Sequence, residues 1–305
     1  MVCSTSWLIA DGSRAPWITA PLTMPHAYTN GIVTFYEDAG GGEPVALVHG
    51  HSLDGRMWDY QVPALVGAGF RAIRHDVRGH GRSMIPPEGY TWEEYARDLA
   101  ELLDKVNADR PTAGALAVPA AHLVGLSMGG GIALQFTLDY PGRVLSLTLV
   151  DSVLPGFAYS GEFAEEVESL REVAQRQGLQ AFTEAWLAHA FFDGLRRRPA
   201  AWTLTQEMVR GFQAPEWRGV VTTAGADEQP SLADRLGDVG VRTLVVAGEE
   251  DVEDFRLIAE ILAGTIPGAR LEVMAGCGHM SPMEDPDGFN RLLIEFLATG
   301  FSRPL

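Results

Sequence analysis

The chain has 305 residues, 46% of them hydrophobic and 21% charged, so it can bury one large core and is too apolar for long disordered stretches. Its 40 acidic residues against 23 basic ones give a formal charge of −17, which disfavours nucleic-acid and anionic-membrane partners. The two cysteines exclude a disulfide framework, and without a membrane-length apolar run or a recognisable signal peptide we expect a cytoplasmic protein.

The first half of the chain alternates short apolar runs with polar, glycine-containing loops. Asn30-Gly31 is a strong hairpin turn signal, and the apolar runs that follow are typical of strands buried on both faces. Apolar residues at helical spacing then predict a helix. In chain order we predict an irregular extension over residues 1–27 and a hairpin over 28–39. Buried strands over 45–48 and 70–75 and a helix over 92–106 follow.

The second half contains strand-like apolar runs interrupted by one long segment of helical spacing. The runs predict strands over residues 122–124, 144–150, 243–247 and 271–274. Between the second and third of these, residues 152–240 are rich in aromatic side chains and nearly free of strand signals, and we name them the helical insert. Helical spacing predicts helices in it over residues 163–177, 179–192 and 202–212. The alternation predicts an α/β fold, whose mostly parallel sheet is formed by residues 28–151 and 241–305 and covered by helices on both faces.

A glycine-flanked serine stands at the turn between a predicted strand and a helix. Residues 125–129 read GLSMG, which matches the G-x-S-x-G pattern of a nucleophile elbow. Gly125 and Gly129 leave room for a sharp turn, in which Ser127 takes a sparsely populated backbone conformation and presents its hydroxyl at the strand end. The backbone N–H of Met128, at the start of the helix, can then face an oxyanion.

A base and an acid follow the serine along the chain. A serine hydroxyl is a weak nucleophile that needs a base to take its proton, and the base needs a third group to orient it. His279 and Asp251 each lie in a loop just past a predicted strand, so both can converge with Ser127 on one edge of the sheet. Other carboxylates remain open as the acid, namely Glu249, Glu250, Asp254 and Asp151.

The order Ser127, Asp251, His279 and its surrounding motifs resemble the α/β-hydrolase superfamily, in the branch of small esterases, enol-lactonases and cofactor-free haloperoxidase-like enzymes. Four blocks carry the resemblance: residues 49–52 (HGHS), 76–83 (DVRGHGRS), 125–130 (GLSMGG) and 278–286, which begin with Gly278-His279 and end with Glu284-Asp285-Pro286.

The resemblance implies further roles. The residue after the His-Gly pair, His51, and the residue after the serine, Met128, would donate their backbone N–H groups to the oxyanion. The helical insert would correspond to the family's cap, or lid, domain. Haloalkane dehalogenases and epoxide hydrolases of this fold need a carboxylate nucleophile, and position 127 is a serine.

We therefore expect a serine-dependent hydrolase of carboxylic esters with an apolar acyl group, acting through an acyl-enzyme intermediate and needing no metal or organic cofactor. Its partner would be a small-molecule ester or lactone, and the protein would be a monomer or homodimer. Two other activities remain open: opening of a lactone, as by 3-oxoadipate enol-lactonases, and hydrolysis of a carbon–carbon bond with the same triad. A non-catalytic ligand-binding receptor on the same fold is the alternative from another class.

Overall fold

An eight-stranded sheet lies at the centre of the computed structural model, which describes residues 26–109, 120–221 and 231–299. The strand order is β1-β2-β4-β3-β5-β6-β7-β8. The pairs β1–β2 and β2–β4 are antiparallel, and the remaining neighbours are parallel. The strands are β1 His26–Thr29, β2 Ile32–Gly40, β3 Pro44–Val48, β4 Arg71–His75, β5 Ala121–Leu126, β6 Val144–Val150, β7 Thr243–Gly248 and β8 Arg270–Met274.

Helices cover the sheet on both faces. Successive side chains of a strand point to opposite sides, so alternate residues pack against different helices. In β3, Ala46 and Val48 join the core cluster that contains residues of α2, α3 and α8. Val45 and Leu47 join a second cluster with residues of α1, α10 and the helical insert. The predicted α/β fold is therefore confirmed. The helices are α1 Gln61–Gly67, α2 Trp92–Asp109, α3 Met128–Asp139, α4 Gly161–Gln177, α5 Leu179–Leu187, α6 Asp193–Arg196, α7 Pro199–Gly211, α8 Glu253–Thr265, α9 Ser281–Glu284 and α10 Pro286–Ala298.

Several element boundaries shift by one to three residues from the sequence expectations, and one predicted helix is divided. The hairpin begins at His26, two residues earlier than expected, and the rest of the predicted extension lies outside the described residues. The helical spacing after Leu179 does not give one continuous helix: α5 ends at Leu187, and His189 takes an extended conformation and accepts a hydrogen bond on Nδ1 from Phe191 N at 3.1 Å. This side-chain bond starts a separate short turn. No helix in the described ranges is long and apolar enough to cross a membrane.

The turn over residues 76–83 ties the end of β4 to neighbouring elements. The carboxylate of Asp76 accepts hydrogen bonds from the backbone N–H groups of Gly55 and Arg82 at 2.9 and 2.8 Å. The guanidinium of Arg78 donates two bonds of 2.6 Å to the carboxylate of Asp98 in α2. Asp76 is bonded to backbone amides, and Arg78 forms a buried ion pair with Asp98. This motif therefore has a structural role.

One contact between α2 and the helical insert should make stability depend on pH. Tyr95 donates its hydroxyl hydrogen to Glu216 Oε1 at 3.2 Å, and burial raises the pKa of Glu216 to about 7. A carboxyl whose pKa is higher in the folded state stabilises the fold most at low pH, and this contribution is lost as the pH rises to about 7. We expect Glu216→Gln to remove about 1–3 kcal/mol of that pH dependence between pH 4.5 and 7.

Urea unfolding at several pH values measures this effect as the difference in unfolding free energy between wild type and variant. A Glu207→Gln variant is the control, because Glu207 is an exposed carboxylate on α7. A difference that stays constant with pH for Glu216→Gln would contradict the prediction.

Candidate active site

Ser127 occupies the tight turn between β5 and α3. Its backbone has φ 52° and ψ −116°, a strained conformation for a residue with a side chain. The turn is closed by glycines: a Cβ on Gly125 would overlap the backbone of Gly129, and a Cβ on Gly129 would overlap the carbonyl oxygen of Val48. The sequence therefore folds here into a sharp elbow with a serine at its apex.

The structure brings the three predicted side chains into one hydrogen-bonded chain. His279 Nε2 lies 3.0 Å from Ser127 Oγ, and His279 Nδ1 lies 2.9 Å from Asp251 Oδ2. A carboxylate can only accept, so Nδ1 carries the proton and Nε2 is free to accept the serine's hydrogen. The other oxygen of Asp251 accepts from the N–H of Val252 at 2.7 Å. A hydroxyl, an imidazole and a carboxylate thus stand in the order that acyl transfer requires of its nucleophile, base and acid.

Asp151 is the rival acid that lies nearest to this chain, but it is held by other partners. It ends β6 and is fully buried. Its Oδ1 accepts from Gly248 N and its Oδ2 from Ser281 Oγ, both at 2.7 Å. Burial, together with the charge of Asp251, raises the pKa of Asp151 well above its usual value. Asp151 therefore joins the end of β7 to the start of α9 without bonding to the imidazole.

The remaining three carboxylates considered as the acid are also bonded elsewhere. Each has partners outside the Ser127–His279 pair: Glu249 accepts from Gly276 N, Glu250 pairs with Arg197, and Asp254 accepts from the N–H and hydroxyl of Ser160. Among the described residues, Asp251 is the carboxylate hydrogen-bonded to His279.

The loop after β3 runs beside Ser127. A Cβ on Gly50 would lie 3.5 Å from Ser127 Cβ and would overlap Leu126. His49 fixes this loop, since its Nδ1–H donates to Gly50 O and its Nε2 accepts from Val77 N, each at 2.8 Å. Burial lowers the pKa of His49, which keeps the ring neutral as these two bonds require. The backbone of His51 follows directly.

The two predicted oxyanion donors flank the serine from different elements. Met128 is the first residue of α3, where helix geometry leaves the N–H groups without carbonyl partners from the same helix. Such amides, pre-aimed at a helix N-terminus, are suited to stabilise developing negative charge. His51 approaches from the loop after β3, next to Gly50. Their roles as donors stay a prediction.

The side chain of His51 is packed among aromatic rings of the helical insert. Its ring centroid lies 4.9 Å from Phe212, 5.4 Å from Trp217 and 5.9 Å from Trp186, and 5.5 Å from that of His80. Burial lowers the pKa of His51 to about 3, so the ring is neutral. The insert therefore covers the loop that carries the predicted oxyanion donor.

Two phenylalanines that the sequence did not single out contact the imidazole of His279. Phe191, from the turn after α5, stacks on His279 with centroids 3.9 Å apart and an interplanar angle of 18°. Phe255 of α8 meets the same ring edge-on at 4.5 Å. Phe255 lies in the first turn of the helix that follows Asp251, and this closeness in sequence offered a signal. Phe191 had none beyond the aromatic density of the insert.

Neither a thiol nor a metal cluster adds to this site in the described residues. Cys277 is buried close to His279, and burial with nearby carboxylates raises its pKa to about 12, so the thiol keeps its proton near neutral pH. No set of three His, Cys, Asp or Glu side chains in the ranges the structure describes could hold a metal ion.

Comparisons with known proteins agree on the fold and range over several activities. A model of the alpha/beta hydrolase family matches residues 45–292. The non-heme chloroperoxidase CPO-A1 of Kitasatospora aureofaciens is 32% identical over 286 residues, covering 90% of this chain and 99% of the relative. A thermophilic esterase from Thermogutta terrifontis superposes with a TM-score of 0.75 at 30% identity, covering 91% of this chain and 97% of the esterase. The enol-lactonase from Burkholderia xenovorans LB400 gives a TM-score of 0.76 at 25% identity, with 90% and 100% coverage.

Proposed function

Because this chain belongs to the α/β hydrolase family, we propose that it is a serine-dependent hydrolase of carboxylic esters that works through an acyl-enzyme intermediate. The observation that carries the proposal is the hydrogen-bonded chain from Ser127 through His279 to Asp251. In this chemistry a serine becomes a nucleophile only when a base and an orienting acid stand in line behind it.

The first half of the reaction forms the acyl-enzyme. Ser127 Oγ attacks the ester carbonyl carbon while His279 Nε2 takes the hydroxyl proton. Asp251 holds Nδ1–H and stabilises the imidazolium that forms. The backbone N–H groups of His51 and Met128 bind the oxyanion, and each lowers the barrier by on the order of 3 kcal/mol. The imidazolium then gives its proton to the alcohol oxygen as the bond to the acyl carbon breaks.

The second half returns the free enzyme. His279 Nε2 takes a proton from a water molecule, and the hydroxide attacks the acyl carbon. The tetrahedral intermediate collapses, Ser127 Oγ leaves and receives the proton from His279, and the carboxylic acid departs. These steps use only groups of this chain and water, so the proposal includes no metal or organic cofactor.

The surroundings of the triad favour an apolar acyl group. The imidazole faces Phe191 and Phe255, and the loop carrying His51 is covered by Trp186 and Trp217. Aromatic walls of this kind bind apolar groups by excluding water. The acidic chain, with a formal charge of −17, disfavours anionic substrates. We therefore place small neutral esters first among substrates.

A lactone is the second candidate substrate class, supported by the similarity to the enol-lactonase. A lactone is an internal ester, so the same two half-reactions open it and release one hydroxy acid. The difference lies in the shape of the pocket, because the leaving alcohol stays attached to the acyl group.

A substrate panel tests the proposal. We expect hydrolysis of aryl esters with kcat/KM rising as the acyl chain lengthens until the pocket is filled, slower opening of simple lactones, and no cleavage of a vinylogous ring-cleavage diketone. A fluorophosphonate probe should label Ser127. Turnover of the diketone alone would favour carbon–carbon bond hydrolysis, and absence of both turnover and labelling would favour a ligand-binding receptor.

A further inference from the structure

The carboxylate of Glu284 binds the backbone on both sides of His279. Its Oε2 accepts from Gly278 N at 2.9 Å, and its Oε1 accepts from Met280 N at 3.1 Å. Asp251 holds the imidazole ring at Nδ1, and Glu284 holds the peptide groups to which that ring is attached. We propose that Glu284 is a positioning residue that keeps the histidine loop in register with Ser127, a role that rests on the proposed function.

The position of Glu284 follows from the short helix α9. This helix begins at Ser281, two residues after His279, and Glu284 N donates to Met280 O at 3.0 Å. One helical turn therefore brings the side chain back over the two amides that flank the histidine. The contact is local in sequence, yet it depends on the turn being formed.

The contact requires two acceptor oxygens, which a carboxylate has and an amide lacks. A glutamine in the same place would satisfy one N–H and set its own NH₂ group against the other. Glu284 is 3% exposed, so an unsatisfied donor there would not be rescued by solvent.

Opposing effects act on the pKa of Glu284. Burial raises the pKa of Glu284, and the two backbone donors, Arg197 and His279 oppose that rise. The titratable groups that act on it are Arg197 of the insert and His279 and Cys277 of the loop. The negative charge close to His279 favours the imidazolium that forms during acyl transfer.

The helical insert closes over this carboxylate. A Cβ placed on Gly194 of α6 would overlap both oxygens of Glu284, so only a glycine allows the helix to approach this closely. Four residues on, Arg198 Nε donates to the carbonyl oxygen of Glu284 at 2.8 Å. The insert therefore contacts the catalytic loop at the residue that we infer to position it.

Glu284→Gln is the direct test. We expect kcat to fall by on the order of 10²-fold with KM nearly unchanged, because the imidazole loses its alignment with Ser127 while the acyl pocket remains. Glu249→Gln is the matched control, since Glu249 accepts one backbone N–H from the same loop, from Gly276, but is exposed. Its kinetics should match those of wild type.

A second variant keeps the carboxylate and displaces it. Gly194→Ala should lower kcat in the same direction, because the added methyl group pushes against Glu284. Gly264→Ala in α8 is its control, since nothing lies within 4 Å of a Cβ there. Thermal unfolding of all four variants separates loss of the fold from loss of the alignment between His279 and Ser127. If Glu284→Gln does not fold, the kinetics of Gly194→Ala test the positioning role instead.

Labelling with a fluorophosphonate probe separates this inference from the proposed function. If wild type reacts at Ser127 and Glu284→Gln reacts at least about tenfold more slowly, the positioning role is supported. Equal labelling rates and equal kcat in the folded Glu284→Gln and Glu249→Gln variants would overturn the inference and leave the proposed function intact. Absence of labelling in wild type would overturn the proposed function itself.

Discussion

Replacing Ser127 by alanine is expected to remove nearly all turnover, with a fall in kcat of about 10⁶-fold. The hydroxyl is the attacking group, and no other hydroxyl in the described residues bonds to His279 Nε2. Alanine is smaller than serine and keeps a Cβ at the strained elbow, so we expect the unfolding free energy to change by less than about 1 kcal/mol. Steady-state hydrolysis of an aryl ester and a thermal melt check both expectations.

Ser152→Ala is the matched control for this experiment. Ser152 is buried next to the elbow, where its side chain stands against Gly130, and its hydroxyl donates to the carbonyl oxygen of Val153 at 2.8 Å. Its loss should leave turnover close to that of wild type. Ester hydrolysis retained in Ser127→Ala at more than a trace would exclude Ser127 as the nucleophile.

Asp251→Asn is expected to lower kcat by about 10⁴-fold while the fold is retained. The reason lies in the second bond of this carboxylate, which accepts from the N–H of Val252. An amide must present its oxygen to that fixed donor, so its NH₂ group faces His279 Nδ1. The imidazole then carries its proton on Nε2 and has no lone pair to accept the hydrogen of Ser127. Single-turnover acylation with an aryl ester measures the loss directly.

Asp151→Asn decides between the two acids that lie at this sheet edge. An amide at position 151 can keep its oxygen on Gly248 N–H and donate to the Ser281 hydroxyl, but its NH₂ group then faces Ser281 N–H, which lies 3.3 Å from Oδ2. Neither residue belongs to the triad, so the cost falls on the surrounding loops. We expect kcat to fall by less than about tenfold. A larger loss in Asp151→Asn than in Asp251→Asn would make Asp151 the catalytic acid.

The fold and the hydrogen-bonded triad could be predicted because their determinants are local in sequence. Strands buried on both faces read as apolar runs, and the glycines at 125 and 129 stand two residues before and after the serine, where the sequence shows them directly. The acid and base follow strands that run in parallel, so the sheet itself brings their loops to one edge. A single sequence was therefore enough to predict that Ser127, Asp251 and His279 lie close together.

The contacts of the helical insert could not be predicted in the same way. Phe191 stacks on His279 across 88 residues of sequence only because the chain breaks its helix at His189 and turns. That break depends on one side-chain hydrogen bond, which helical periodicity does not report. The fit of Gly194 against Glu284 likewise arises from how two segments dock. Tertiary packing of this kind decides which aromatic residues face the triad.

The stacked ring of Phe191 also bears on the charge that His279 carries in the proposed mechanism. A buried imidazolium has little water to stabilise it, which raises the free energy of the charged state. The face of an aromatic ring is electron-rich and attracts a cation, typically by about 0.5–2 kcal/mol. With its ring 3.9 Å from the imidazole and nearly parallel to it, Phe191 presents that face to the proton-bearing base. Phe191 helps to bury the imidazole of His279, and its ring also supplies part of the stabilisation that water would otherwise give to the charged imidazole.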